Sequence, residues 1–189
     1  MHIFNHKRVP DTTVSGTIRV MSSEIVVIAH DLRSAHNVGS LLRTADGLGV
    51  KMVYLTGYTP YPAKKDDSRL PHIAQKLAKQ INKTALGAEN LVNWQQNDNI
   101  DGVIKNLKKQ GYVIAALEQN SKSTSVIDFK TPSKLALILG REVEGIEEPV
   151  VRQCDVILEI PMRGQKESFN VVQAAAIALY QLGLATTPQ

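Results

Sequence analysis

The chain has 189 residues, 43% hydrophobic and 21% charged, with a net charge of +4 and a pI near 9.2. That describes one ordinary globular domain with enough apolar chain for a sizeable core, and a mild basic excess that permits a nucleic-acid partner without demanding one. The single cysteine, Cys154, excludes an intrachain disulfide and a cysteine-built zinc cage, and reads as a small buried hydrophobe.

The opening stretch "MHIFNHKRVPDTTVSG" lacks the apolar core of a signal peptide. Residues 1–23 are polar with scattered Gly and Pro, and are expected to be a mobile lead-in to one domain over 24–189. "EIVVIAHD" (Glu24 to Asp31) is a short β-branched run with the length of a buried strand. In "AHNVGSLLRTADGLGV", Val38, Leu41, Leu42, Ala45 and Leu48 recur at helical spacing, and Gly49 suits a C-terminal cap. "MVYLTG" predicts a second strand. A Pro-rich loop and an amphipathic helix follow in "TPYPAKKDDSRLPHIAQKLAKQINK". "NIDGVIKNLKKQG" predicts a helix stopped by Gly. "YVIAALEQ", "LALILG" and "VILEIP" predict three more strands, and a last helix starts near Asn170.

Strands alternate with helices, and the inner strands are apolar on both faces. This predicts an α/β fold with a mostly parallel sheet flanked by helices. The final helix, "VVQAAAIALYQL", is apolar on most sides and of core-helix length. No apolar run reaches the ~20 residues that a membrane span needs. A cytoplasmic protein without a membrane partner is expected.

In such sheets ligands sit beyond the C-terminal strand ends. Polar and Gly-rich sequence gathers there: His30 to Arg33 and then Asn37, Glu118, "GREVEGI", and "MRGQKESFN". The common phosphate sites fail. There is no Gly-x-Gly-x-x-Gly, and Ile146 and Glu147 stand where a P-loop needs Lys and Ser/Thr. Ser168 is not in a Gly-x-Ser-x-Gly elbow. His30, Asp31 and His36 match no standard metal spacing, so no metal is expected.

Three segments, taken in order, resemble the SpoU (TrmH-like) family of RNA ribose methyltransferases in the SPOUT superfamily. The first holds Asn37-x-Gly39 and Arg43-Thr44-Ala45. The second is Gly140-x-Glu142-x-x-Gly145. The third runs Ile160-Pro161-Met162-x-Gly164, then Ser168-x-Asn170-Val171. "KTALGAE" (Lys83 to Glu89) is similar to the family's middle segment. Phe169 departs conservatively from the commoner Leu.

The resemblance implies a C-terminal trefoil knot, with the apolar final helix threaded into the molecule and surrounded by protein. It implies S-adenosylmethionine as methyl donor, held by Leu117, Gly140, Ile160, Met162, Ser168 and Phe169. Gly140 would let backbone approach the ligand, or simply form a strand-end turn. Methyl transfer to a ribose 2′-hydroxyl is implied, with Arg43, Asn37, Ser168, Asn170 and Glu142 as the catalytic set. A guanidinium does not deprotonate in proteins, so Arg43 would hold a phosphate or the developing alkoxide, while phosphate, Ser168 or water takes the proton. Asn170 would also cap the last helix, and Glu142 is a positioning group or a turn-organising carboxylate.

A homodimer is implied, with Arg43 of one subunit facing the donor of the other. tRNA, with guanosine in the D-loop as the target, is favoured over rRNA; a catalytically silent RNA-binding relative stays open. Residues 61–83 carry six positive and two negative charges, and Lys64, Lys65 and Arg69 are the candidate RNA contacts. Tyr58 and Tyr61 beside them suit base stacking or loop packing.

Overall fold

The computed structural model describes residues 23–184. The lead-in expected over 1–23 lies, apart from Ser23, outside the described residues. Seven strands form one sheet: β1 Glu24–His30, β2 Met52–Thr56, β3 Trp94–Asn97, β4 Val113–Leu117, β5 Thr124–Ser125, β6 Lys134–Leu139 and β7 Val156–Glu159. Their order is β3-β2-β1-β6-β4-β7-β5, and every recorded pairing is parallel. The helices are α1 Ala35–Gly47, α2 Pro71–Ala85, α3 Ile100–Lys109, α4 Glu148–Val151 and α5 Val171–Leu184.

The period-two geometry of β1 explains why a continuous apolar run was needed. Ile25, Val27 and Ala29 enter the core under α1, α2 and α5, while Val26 and Ile28 enter the opposite core under α3. α1 stops as its glycines predict. Gly49 sits at φ +68, Val50 N–H reaches the Ala45 carbonyl (2.9 Å), and Gly49 N–H reaches that of Asp46 (3.2 Å). This is the paired closure that a left-handed residue permits after a helix.

Two strands escaped the sequence reading. β3 is "WQQN", an edge strand whose polar residues give no apolar alternation, and β5 is two residues long. The four-residue α4 was likewise not expected.

α1 and α2 meet at Gly39. A Cβ there would fall on the Ile81 carbonyl and the Thr84 hydroxyl. Thr84 Oγ1 also donates to the His36 carbonyl (2.8 Å), which ties the C-terminal end of α2 to the first turn of α1. Gly39 therefore belongs to helix packing.

The expectation for α5 needs correcting. Ala175, Ala178, Leu179 and Leu182 are buried, but Ile177 is 39% and Tyr180 60% exposed. Within one chain the helix is not surrounded. Its outer face lines an apolar groove with Leu48 of α1, Val126 and Ile127. A sheet covers only one side of a helix, so an all-round apolar helix leaves one face unsatisfied unless something else packs there.

Candidate active site

The loop after β1 leads into α1 on one face of the sheet, toward β2. The chain after β6 passes through α4, on the other face, toward β7. β1 and β6 are sheet neighbours, so the strand order switches direction between them, where α/β sheets open a crevice. The crevice found here lies to one side of that switch, beyond the C-terminal ends of β6, β4 and β7, and has a volume of about 190 Å³. Three loops wall it: the one after β4 (Leu117 to Gln119), the one after β6 (Leu139 to Gly145) and the one from β7 to α5.

The loop after β6 is closed on itself. Arg141 and Gly145 exchange backbone hydrogen bonds at 3.1 Å, and Gly145 takes φ +72. A Cβ on Gly140 would stand 2.6 Å from the Gly145 carbonyl carbon and 2.6 Å from Ile146 Cγ1. Gly140 is thus required by the loop's own closure, whatever approaches from the crevice.

Glu142 sits at the tip of this loop and faces the start of α1. Its Oε2 accepts from Arg33 N–H (3.1 Å); its Oε1 accepts from Ser34 N–H (3.3 Å) and Asn37 Nδ2 (2.9 Å). Burial alone would raise its pKa. The Asn37 amide and the backbone N–H groups of Arg33, Glu142 itself and Ser34 outweigh that, and hold the carboxyl below its ordinary value.

An ionised carboxylate only accepts, so it fixes the next amide. Asn37 turns its NH2 to Glu142, leaving Oδ1 to accept from Asn170 Nδ2 (3.4 Å). Asn170 Oδ1 then accepts from Val172 N–H (2.9 Å) at the mouth of α5. One polar chain therefore joins Glu142, Asn37, Asn170 and the final helix. The folded carboxyl titrates below its unfolded value, so its stabilisation is complete above the ordinary carboxylate range. It is lost as pH falls through the depressed folded value.

Leu117, Gly140, Ile160, Ser168 and Phe169 line the crevice together, although they lie far apart in sequence. Met162 does not. It is half-buried between Pro161 and Arg163, which line the apolar groove on the far side of that loop. Arg43 is exposed on α1, away from the crevice wall. His30 and His36 do not converge: His30 is buried against Thr56 Oγ1 (3.0 Å) and His36 is exposed. Burial pushes the half-buried Cys154 thiol up to about 11, which leaves it unreactive.

The sequence reading assigned no role to Glu118. Its Oε2 accepts from Ile146 N–H (3.0 Å) and its Oε1 from Gln119 N–H (3.0 Å). A Cβ on Gly145 would overlap this carboxylate. Glu118 thus clamps the β6 loop from the β4 side, while Glu142, on the loop itself, anchors it to the start of α1. The legible signal was an acid directly after an apolar strand. Gln119, whose Nε2 donates to the Glu167 carbonyl (2.8 Å), left no such signal. Glu118→Ala should cost about 1–3 kcal/mol by orphaning the buried Ile146 amide. Glu118→Gln should recover much of that. Denaturant melts of both variants check this.

The candidate RNA contacts also divide. Arg69 donates to Asp67 (Nε to Oδ1, 2.8 Å), to the Tyr61 carbonyl (2.9 Å) and to the Pro62 carbonyl (3.2 Å), and lies 3.5 Å over the Tyr61 ring. Its guanidinium is spent holding the loop, which also makes Tyr61 a packed aromatic; Tyr58 stays exposed. Neither fact was legible, because an Asp two residues before an Arg also fits an open loop. Lys64 Nζ donates to Gln96 Oε1 (3.2 Å), and Lys65 is exposed. Arg69→Ala should raise amide hydrogen exchange across residues 62–69, and Lys65→Ala should leave it unchanged.

This arrangement defines a class: a parallel α/β protein with a crevice at the C-terminal ends of its strands, beside a polar relay. Residues 24–180 match the family described as SpoU rRNA Methylase. The chain belongs to that family. Over 157 residues it is 31% identical to a protein assigned to the TrmH family of tRNA/rRNA methyltransferases in Staphylococcus haemolyticus, covering 83% of this chain and 57% of that relative. The chain thus spans little more than half the length of such relatives. Its fold is similar to the A. aeolicus TrmH/SpoU tRNA modifying enzyme, with TM-score 0.70, 23% identity, and coverage of 88% of this chain and 78% of that one. It is equally similar to an AdoMet-bound rRNA methyltransferase from Sinorhizobium meliloti (TM-score 0.70, 20% identity, 87% and 57% coverage).

Proposed function

We propose that residues 24–189 form the catalytic domain of an S-adenosylmethionine-dependent RNA methyltransferase that modifies a ribose 2′-hydroxyl, with tRNA favoured over rRNA. The observation that carries this reading is the crevice lining. Five residues expected to hold the donor meet in one crevice, next to the Glu142–Asn37–Asn170 relay.

The crevice chemistry fits the donor. Leu117, Ile160 and Phe169 offer apolar surface for an adenine ring. Glu118, Glu142, Glu144 and Glu159 outnumber the single guanidinium of Arg141 there. That balance suits a ligand bearing ammonium and sulfonium charges and repels a triphosphate. The bound donor supplies an electrophilic methyl group.

The chain's own residues then do the following. The relay holds Asn37 and Asn170 in fixed orientation at the crevice mouth. Ser168 places a hydroxyl on the wall where the ribose must enter. The ribose oxygen attacks the donor's methyl carbon as the carbon–sulfur bond breaks, its proton passes to Ser168, a neighbouring phosphate or water, and the Arg43 guanidinium stabilises the negative charge that develops on the oxygen.

Arg43 does not line the crevice of its own chain, which favours a homodimer in which a second copy brings it there. The exposed groove of Leu48, Ile127, Ile177 and Tyr180 supports an apolar interface of that kind. The final helix is taken to pass through a loop as a trefoil knot. Incubating the protein with total RNA and methyl-labelled donor, then mapping products by mass spectrometry, tests the reading. Labelled 2′-O-methylnucleosides in tRNA support it. Label on bases alone, or none, overturns it.

A further inference from the structure

The charge excess of residues 61–83 has a structural resolution. α2 carries His72, Lys76, Lys79 and Lys83, and no Asp or Glu. These four follow one another at intervals of four, three and four residues, so they form a single stripe along the helix. All four are exposed, while Ala74, Ile81 and Ala85 on the opposite side are buried against α1. The lysines have no hydrogen bond or ion pair among the described residues. The neighbouring Arg69 is already neutralised by Asp67.

A helix face that serves only solvation usually mixes signs, because like charges three and four residues apart repel. Here three cations line up without relief. Among the described residues, Glu89 is the one carboxylate bonded to α2, through Asn82 Nδ2 (2.6 Å), at the helix end.

The stripe also points somewhere. Lys83 is next to Thr84, which bonds the His36 carbonyl, and His36 precedes Asn37 of the relay. The Lys83 end of α2 is therefore the end tied to the first turn of α1, which carries Asn37 of the relay, and the other lysines lie progressively farther along the helix from that tie. The lysines step along the axis by about 4.5 and 6 Å.

We propose that the exposed face of α2, through Lys76, Lys79 and Lys83, is a docking track for the phosphate backbone of the RNA substrate. The inference rests on the RNA reading above, and moves the contact surface from the 64–69 loop to the helix. It predicts backbone contacts, which orient the RNA and carry no sequence readout.

The test uses the full chain and a fluorescein-labelled, unmodified tRNA transcript, with affinity measured by anisotropy across a salt series. Changing Lys76, Lys79 and Lys83 together to Gln should reduce the slope of log affinity against log salt by about 2 to 3, at roughly 0.7–0.9 per lost contact. Melting temperature and calorimetric donor binding should not change. The triple Lys→Arg variant should keep the full slope. An unchanged slope in the Gln variant overturns the inference alone, whether the stripe then meets an acidic protein or only solvent. Failure of the unaltered chain to bind RNA overturns the RNA reading, and this inference with it.

Discussion

Arg43→Ala should reduce methyl transfer by at least about 10²–10³-fold, the usual loss when a fixed charge partner of a developing oxyanion is removed. Donor affinity and fold should survive. Arg43 is exposed on α1 and does not wall the crevice, so its truncation opens no cavity and removes no donor contact. Single-turnover kinetics and calorimetric titration with the donor separate the two effects. A variant that binds donor normally and still turns over near the original rate would remove Arg43 from the chemistry. If a second copy supplies the guanidinium, mixing Arg43→Ala chains with chains altered at Glu142 should restore part of the activity. Each mixed dimer would then hold one intact composite site.

Gly140→Ala should damage the crevice from inside. The added methyl meets the Gly145 carbonyl carbon and Ile146 Cγ1, both at 2.6 Å, and backbone cannot step aside as a flexible side-chain end can. The cost should be about 1–3 kcal/mol of stability, the usual range for overpacking. The displaced loop is the one that carries Glu142, so donor binding should fall together with stability. Gly164→Ala is the control, because a Cβ there meets nothing within 4 Å. Thermal melts and donor titrations of both variants decide the matter. Equal behaviour would show that the 140–145 loop has room to adjust.

Much of this protein was legible before any coordinates. Five of the strands announced themselves as apolar runs because a parallel sheet buries both faces. The missed β3 and β5 are polar or very short edge segments, whose pairing depends on a neighbour already being in place. Among site residues, Leu117, Gly140, Ile160, Ser168 and Phe169 follow from the family resemblance and do converge on one crevice. Met162 was named by the same reasoning, but the turn of the β7–α5 loop puts its neighbours on the other side. Arg69 read as an available cation because charge counting cannot see that Asp67 and two carbonyls already hold it.

The amino-acid order alone determined the alternation of strand and helix, the stop of α1 just before Gly49, and the family motifs. Each depends on neighbours within a few residues or on residue type. Only the tertiary structure decided that Glu118 holds the β6 loop from one side while that loop's Glu142 reaches α1 on the other, that Gly140 serves the loop's closure, and that α5 leaves an apolar face open. The two carboxylate contacts depend on which strand ends become neighbours in the sheet, and contacts between residues 28 and 109 positions apart have no local signature.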